Sequence, residues 1–244
     1  MKQAFHLAKK GLSWTNPHPM VGAVIVKNGK IIARGYHHSF GGDHAEMDAI
    51  KNAEADIKRA TMYVTLEPCH LPYDLHGPRI PCIKIIHQAG IRTVHIAMLD
   101  SNPEVAGRGR QELEKMDIRT TLGVLGRQVH ELNETYHHFM KRRRPFIAAT
   151  FSVSLDGKIA TRTSDSKWIT HKKARQFVMN NLWPSYQAVL VGINTVIQDN
   201  EPMKITNNLY KNPLRIVLDS HLRIPIGSNF LWDDNVIIAT THFA

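Results

Sequence analysis

His44-Ala-Glu46, the run Thr61-Met-Tyr-Val-Thr-Leu-Glu-Pro-Cys69, and Pro81-Cys82 are the stretch whose reading decides the fold. Residues 61–66 read as a strand, and Pro68 ends its capacity to donate to a ladder. The spacing predicts helices from about His44 to Ala55 and from Cys82 to Gln88, the second ended by Gly90. A histidine thus enters one helix, one cysteine leaves a strand, and another cysteine opens a second helix.

One imidazole and two thiols are zinc ligand types, so His44, Cys69 and Cys82 are the candidate metal ligands. Three protein ligands leave a fourth tetrahedral position for water, the arrangement of a hydrolytic rather than a structural site. Glu46 follows His44 by two residues and can shuttle a proton without coordinating the metal, which makes it the acid/base candidate. The helix starting at Cys82 is expected to favour a thiolate there through its N–H groups and dipole. Taken singly, a capping histidine, two small buried cysteines or a disulfide would be ordinary readings. Their combined order is much harder to obtain by accident.

Working outward, a helix is expected at Gln3–Gly11, and Thr15-Asn-Pro-His-Pro19 forces a turn. Val21–Lys27 and Lys30–Tyr36 read as strands joined by Asn28-Gly29, a pair suited to a two-residue hairpin. A strand at Thr93–Met98, a helix near Gly109–Lys115, a short strand about Thr120–Val124 and a helix from Leu125 to Met140 follow. Interleaved strands and helices predict an α/β layer sandwich whose later strands run parallel. A second α/β segment is expected from the strand Phe146–Ser152, through a helix near His171–Leu182 and strands at Ala188–Val191 and Leu214–Leu218, to Val236–Thr241. The expected domains are residues 1–142 and 146–244. Between them Lys141-Arg-Arg-Arg144 precedes Pro145 and reads as a solvated linker, with a nucleic-acid patch as the alternative.

With 244 residues, 43% hydrophobic and 21% charged, the chain can bury a core and accommodate two domains. Its apolar runs are far shorter than the roughly 18 residues of a membrane span. The N-terminus lacks the apolar centre of a secretion signal, and two cysteines are too few for a secreted disulfide framework. A cytoplasmic protein without membrane partners is expected. The formal charge of +10 attracts polyanions or phosphorylated small molecules without choosing between them.

H-x-E followed by P-C and a second cysteine is the signature of zinc nucleobase deaminases. Pro19-Met-Val-Gly-Ala-Val-Ile-Val26, Gly35-Tyr-His-His38, His44-Ala-Glu46, Tyr63–Cys69, Pro81-Cys82, Asn102-Pro103 and Val105-Ala-Gly-Arg-Gly109 resemble the deaminase half of the bifunctional riboflavin-biosynthesis deaminase/reductase family. That family spaces the two cysteines more widely than other deaminases, and the run from His70 to Ile80 lengthens the loop further, with Gly77 and Pro81 keeping recognisable places. Added loop length costs little entropy. His18 stands where the family carries an asparagine that holds the pyrimidine.

Ser152-Val-Ser-Leu-Asp-Gly-Lys-Ile-Ala160, Ser166-Lys-Trp-Ile-Thr170, Val191-Gly-Ile-Asn-Thr-Val196 with Asp199, and Pro213–Ser220 resemble the family's reductase domain. The resemblance implies a cytidine-deaminase-like three-layer domain followed by a dihydrofolate-reductase-like α/β domain, incomplete because the sequence stops before the family's last strands. It implies NADPH contacts at Ser152, Trp168, Thr195, Asp199 and Ser220, and substrate contacts at His18 and Ser166. No G-x-G-x-x-G follows a strand, so a Rossmann dinucleotide site is not expected.

The implied function is zinc-dependent hydrolytic deamination of a diaminopyrimidine ribosyl phosphate. NADPH-dependent reduction of the ribosyl side chain is the second implied activity, opposed by the loss of the family's phosphate-region arginines from Asn180–Pro184 and from Asn200–Thr206. The expected partners are a phosphorylated pyrimidine and a second copy of the chain. A nucleic-acid or nucleoside deaminase, and a catalytically weakened partner of the pathway, are the alternatives.

Overall fold

The computed structural model describes residues 1–74, 76–163 and 165–241; the last three residues of the expected second domain lie outside them. The chain divides into two compact units, Met1–Phe146 and Ile147–Ala244.

In the first unit, α1 (Lys2–Ala8) precedes β1 (Gly22–Lys27), β2 (Lys30–Tyr36), α2 (Ala45–Lys51) and β3 (Thr61–Leu66). A two-residue ladder, β4 (Tyr73–Asp74) with β5 (Gly77–Pro78), folds the loop between the cysteines. Then come α3 (Cys82–Gln88), β6 (Thr93–Met98), α4 (Arg108–Lys115), β7 (Arg119–Leu122), α5 (Gly126–Leu132) and α6 (Glu134–Arg142). One sheet runs in the order β2-β1-β3-β6-β7. Its hairpin and the β1–β3 pair are antiparallel, while β3–β6 and β6–β7 are parallel. Ile25, Met62, Val64, Ile86, Val94, Ile96 and Leu113 form the core between sheet and helices.

The parallel pairing sets the site. Leu66 is in register with Met98, so β3 and β6 end side by side, and the chain after each strand enters the same crevice. Gly109 lets α4 approach this rim, since a Cβ there would lie 2.1 Å from the Pro68 carbonyl oxygen.

Several helix boundaries differ from expectation for local reasons. Asn52 caps α2 four residues early, its side chain donating to the Arg34 carbonyl and to Asp48. The helix expected over residues 125–140 is two helices broken at Asn133, whose side chain accepts from the Met20 N–H and donates to the Met20 carbonyl.

The second unit contains α7 (Lys172–Phe177), continued by a wider turn over Val178–Leu182, then β8 (Ala188–Gly192), α8 (Ile193–Asp199), β9 (Leu214–Leu218) and β10 (Val236–Ala239). Its parallel sheet has the order β10-β9-β8. Ile193, Val196, Val217 and Phe230 make its core. Residues 146–152, expected as a strand, are irregular. Their apolar pattern suits a strand, but no neighbouring strand among the described residues offers a ladder, and Ile147 and Phe151 are exposed. No helix among the described residues is long and apolar enough to cross a membrane.

Candidate metal centre and active site

His44 is the N-cap of α2, Cys69 lies just past β3, and Cys82 is the first residue of α3. His44 Nδ1 lies 3.3 Å from Cys82 Sγ and 3.5 Å from Cys69 Sγ. Zinc with Zn–S of about 2.3 Å and Zn–N of about 2.05 Å at tetrahedral angles holds its S and N ligands roughly 3.5 Å apart. The three side chains therefore fit the ion in both chemistry and spacing. Both sulfurs are free thiols rather than a disulfide.

Hydrogen bonds from the Cys82 thiol and His44 push the Cys69 thiol down to about 4, while the hydrogen bond with Cys69 and then burial push Cys82 up. Burial would lower His44, but the Cys69 sulfur outweighs it, so His44 is raised. The surroundings thus favour the charged form of the Cys69 sulfur more than that of Cys82. The reason is geometric, because the backbone N–H of Cys82 points at Cys69 Sγ, 3.4 Å away, rather than at its own sulfur.

A second cluster, His18, His44 and Asp74, also brings ligand-type atoms together. The Arg79 guanidinium donates to Asp74 Oδ2 and lies against His44 Nε2, occupying with a fixed cation the place a metal would take. This cluster is therefore read as an ion-pair network. Asp74 Oδ2 lies 3.6 Å from His44 Nε2, in position to orient the ring from its far side.

The centre opens into a cavity of about 310 Å³. Glu46 lies within its wall, 3% exposed, and burial raises its carboxyl above the usual range. His18 and His37 line the same wall with stacked rings 5.3 Å apart. Burial, and then their mutual repulsion at His18, push both down to about 4, so they are neutral at pH 7.

The opposite rim was not legible as a site. Glu67 accepts from the N–H groups of Asp100 (3.2 Å), Gly107 (2.8 Å) and Arg110 (2.9 Å), pinning the loop after β6 to the end of β3. Asp100 accepts from the Tyr136 hydroxyl at 2.8 Å, and burial raises its pKa. Tyr136, Met140 and Arg143 bring α6 and its cap to the cavity. Glu67 was visible beside Pro68-Cys69; Arg143 was visible only as part of a basic run, and Tyr136 carried no signal.

The five residues that the resemblance assigned to NADPH lie in the second unit. Thr195 and Asp199 share α8, Ser220 follows β9, and Ser152 and Trp168 lie in irregular chain before α7. No hydrogen bond among the described residues joins any two of their side chains. Trp168 stacks beneath the Arg175 guanidinium, 3.6 Å from ring centroid to Cζ. Ser166 is exposed in the same irregular segment.

Residues 1–98 match the cytidine and deoxycytidylate deaminase zinc-binding region, and residues 145–244 match the RibD C-terminal domain. A solved deaminase/reductase of Thermotoga maritima, described as a diaminohydroxyphosphoribosylaminopyrimidine deaminase and 5-amino-6-(5-phosphoribosylamino)uracil reductase, is 42% identical. It superposes with a TM-score of 0.87 over 98% of this chain and 68% of its own. The chain belongs to the RibD family. RibD of Acinetobacter baumannii is 34% identical with a TM-score of 0.89, covering 99% of this chain and 68% of that one. RibD of Actinobacillus pleuropneumoniae is 43% identical over 93% of this chain, which spans 59% of that relative's length. The RibD matches make the first unit a cytidine-deaminase-like domain and the second a reductase-like α/β domain.

Proposed function

We propose that the first unit is a zinc-dependent deaminase that removes an exocyclic amino group from a diaminopyrimidine ribosyl phosphate as ammonia. The observation that carries this reading is the approach of His44 Nδ1 to two free sulfurs, at 3.3 and 3.5 Å, beside buried Glu46. His44, Cys69 and Cys82 would hold the zinc. When bound, zinc supplies Lewis acidity that makes water a nucleophile near neutral pH.

Glu46 takes a proton from water as its oxygen bonds to the amine-bearing ring carbon. It then returns a proton to the amine nitrogen, the C–N bond breaks, and ammonia leaves. A carboxyl with a raised pKa suits both halves of this transfer. His18 holds the ring, and the buried walls keep bulk water from the reacting carbon.

The second unit is proposed as the NADPH-dependent reductase partner, with Ser152, Trp168, Thr195, Asp199 and Ser220 contacting the cofactor and Ser166 the substrate. NADPH would supply the hydride for the ribosyl carbonyl carbon. Replacement of the family's phosphate-region arginines argues that this activity is weak here.

Free thiols suit a reducing compartment, so the proposed location is the cytoplasm. Exposed Leu155, Leu209 and Ile226 of the second unit support a homo-oligomer. Offering the protein the diaminopyrimidine ribosyl phosphate, with and without NADPH, tests both activities when ammonia and cofactor absorbance are followed together. Ammonia released without NADPH consumption is expected; no ammonia from the zinc-loaded protein would overturn the reading.

A further inference from the structure

We propose that Arg143 is the phosphate anchor of the deaminase cavity, a deepening of the functional reading above that rests on it. Arg143 is the one permanently charged cation among the residues lining the cavity, whose other ionisable groups are carboxylates, histidines, Cys69 and two tyrosines. Most of those carboxylates are already answered. Asp74 is paired with Arg79, and Glu67 takes three backbone N–H groups. Asp100 holds the Tyr136 hydroxyl, and Glu46 is buried. The Arg143 guanidinium, by contrast, makes no ion pair or side-chain hydrogen bond among the described residues.

Its backbone is fixed for the purpose. Arg143 caps α6 in the left-handed conformation, φ 54°, with its N–H donating to the Phe139 carbonyl at 2.8 Å. Glycine adopts that cap without steric cost, and a side chain kept there at a cavity rim calls for a function. Tyr136, Met140 and Arg143 follow one another at four and three residues, so one face of α6 turns toward the cavity. Lys141, Arg142 and Arg144 do not line it.

The cavity also has a direction. Glu46 and the histidines lie in its buried wall, whereas Arg143 is exposed. A pyrimidine fits the buried end, and a phosphate, costly to strip of water, stays at the rim beside a planar guanidinium able to hold two of its oxygens. The basic run is thereby partly a binding element rather than only a linker.

The test compares the wild type with Arg143→Gln, Arg143→Lys and Arg143→Gly, the last keeping the cap conformation without the guanidinium. Kinetics are measured with the ribosyl phosphate and with the same diaminopyrimidine riboside lacking phosphate. Losing a charge-assisted hydrogen-bond pair is expected to raise KM for the phosphorylated substrate roughly 10- to 100-fold in the Gln and Gly variants. Their kcat should stay within about threefold, with partial rescue by Lys and no change for the riboside. An unchanged KM, or an equal loss for both substrates, would overturn the anchor. Calorimetric titration of the zinc-loaded full chain with ribose 5-phosphate separates this from the deaminase reading. One ribose 5-phosphate site per chain lost in Arg143→Gln relative to the wild type supports the anchor even if no ammonia is ever released. The same number of ribose 5-phosphate sites per chain in the variant as in the wild type, or no binding by the wild type, refutes it.

Discussion

His18 Nδ1 lies 3.2 Å from His37 Nε2, and this contact fixes which nitrogen of His18 faces a ligand. His37 Nδ1 is 2.8 Å from the Asp43 carbonyl oxygen, which only accepts, so His37 carries its proton on Nδ1 and accepts at Nε2. His18 must then donate from Nδ1, leaving Nε2 as a bare acceptor. An asparagine at this place would offer a donor and an acceptor together; His18 offers acceptance alone. His18→Ala should raise KM by about 3- to 10-fold, the worth of one neutral hydrogen bond, with zinc content unchanged. Steady-state kinetics beside metal analysis checks this, and lost zinc would show that the relay serves the metal instead.

Glu46→Gln keeps the shape of a 3%-exposed side chain while removing its proton traffic. Turnover should fall by about 10²- to 10⁴-fold with zinc stoichiometry and KM little altered. A variant retaining full turnover would take Glu46 out of the chemistry.

Glu67 joins the two strand ends through three backbone donors, and Gly109 lets α4 approach the same rim. Glu67→Gln turns one acceptor into a donor facing N–H groups. A loss of about 2–3 kcal/mol is expected, read as a fall in melting temperature of roughly 5–10 °C. Gly109→Ala should destabilise comparably by steric contact with the Pro68 carbonyl. Melting curves unchanged in both variants would mean the loop is held by something else.

His137 is 1% exposed, its ring nitrogens have no partner among the described residues, and its ring stacks on His130 at 4.7 Å. Burial, then repulsion from His130 and Lys141, pushes its pKa down to about 4. The folded state therefore binds fewer protons than the unfolded one, and the contribution to stability is full above pH 6.5. It is lost as pH falls from 6.5 toward 4. Between pH 7 and 5 this costs about 2 kcal/mol at most. His137→Leu should flatten that part of the stability profile, measured by denaturant unfolding at each pH. A profile parallel to wild type would remove His137 from the acid sensitivity.

Much of the first unit was legible because local and tertiary preferences agree there. Asn28-Gly29 turns the β1–β2 hairpin, and residues 61–66, 82–88 and 93–98 form the expected elements. The triad of His44, Cys69 and Cys82 was legible from residue type and order. Where tertiary contacts decide, the sequence was silent or misleading. α8 is rich in β-branched residues yet is helical because Ile193 and Val196 seal the second core. Residues 146–152 have a strand's pattern without a strand's partner. Arg143 lines the cavity at the end of α6, which starts anew after Asn133 breaks the expected helix.

X-ray absorption at the zinc edge of the purified full chain tests the central claim most directly. The account predicts one zinc per chain with two sulfurs at about 2.3 Å and lighter N/O neighbours at about 2.0–2.1 Å, and loss of the metal in Cys82→Ala. A chain that takes up no zinc, or a zinc spectrum without sulfur neighbours, would contradict it.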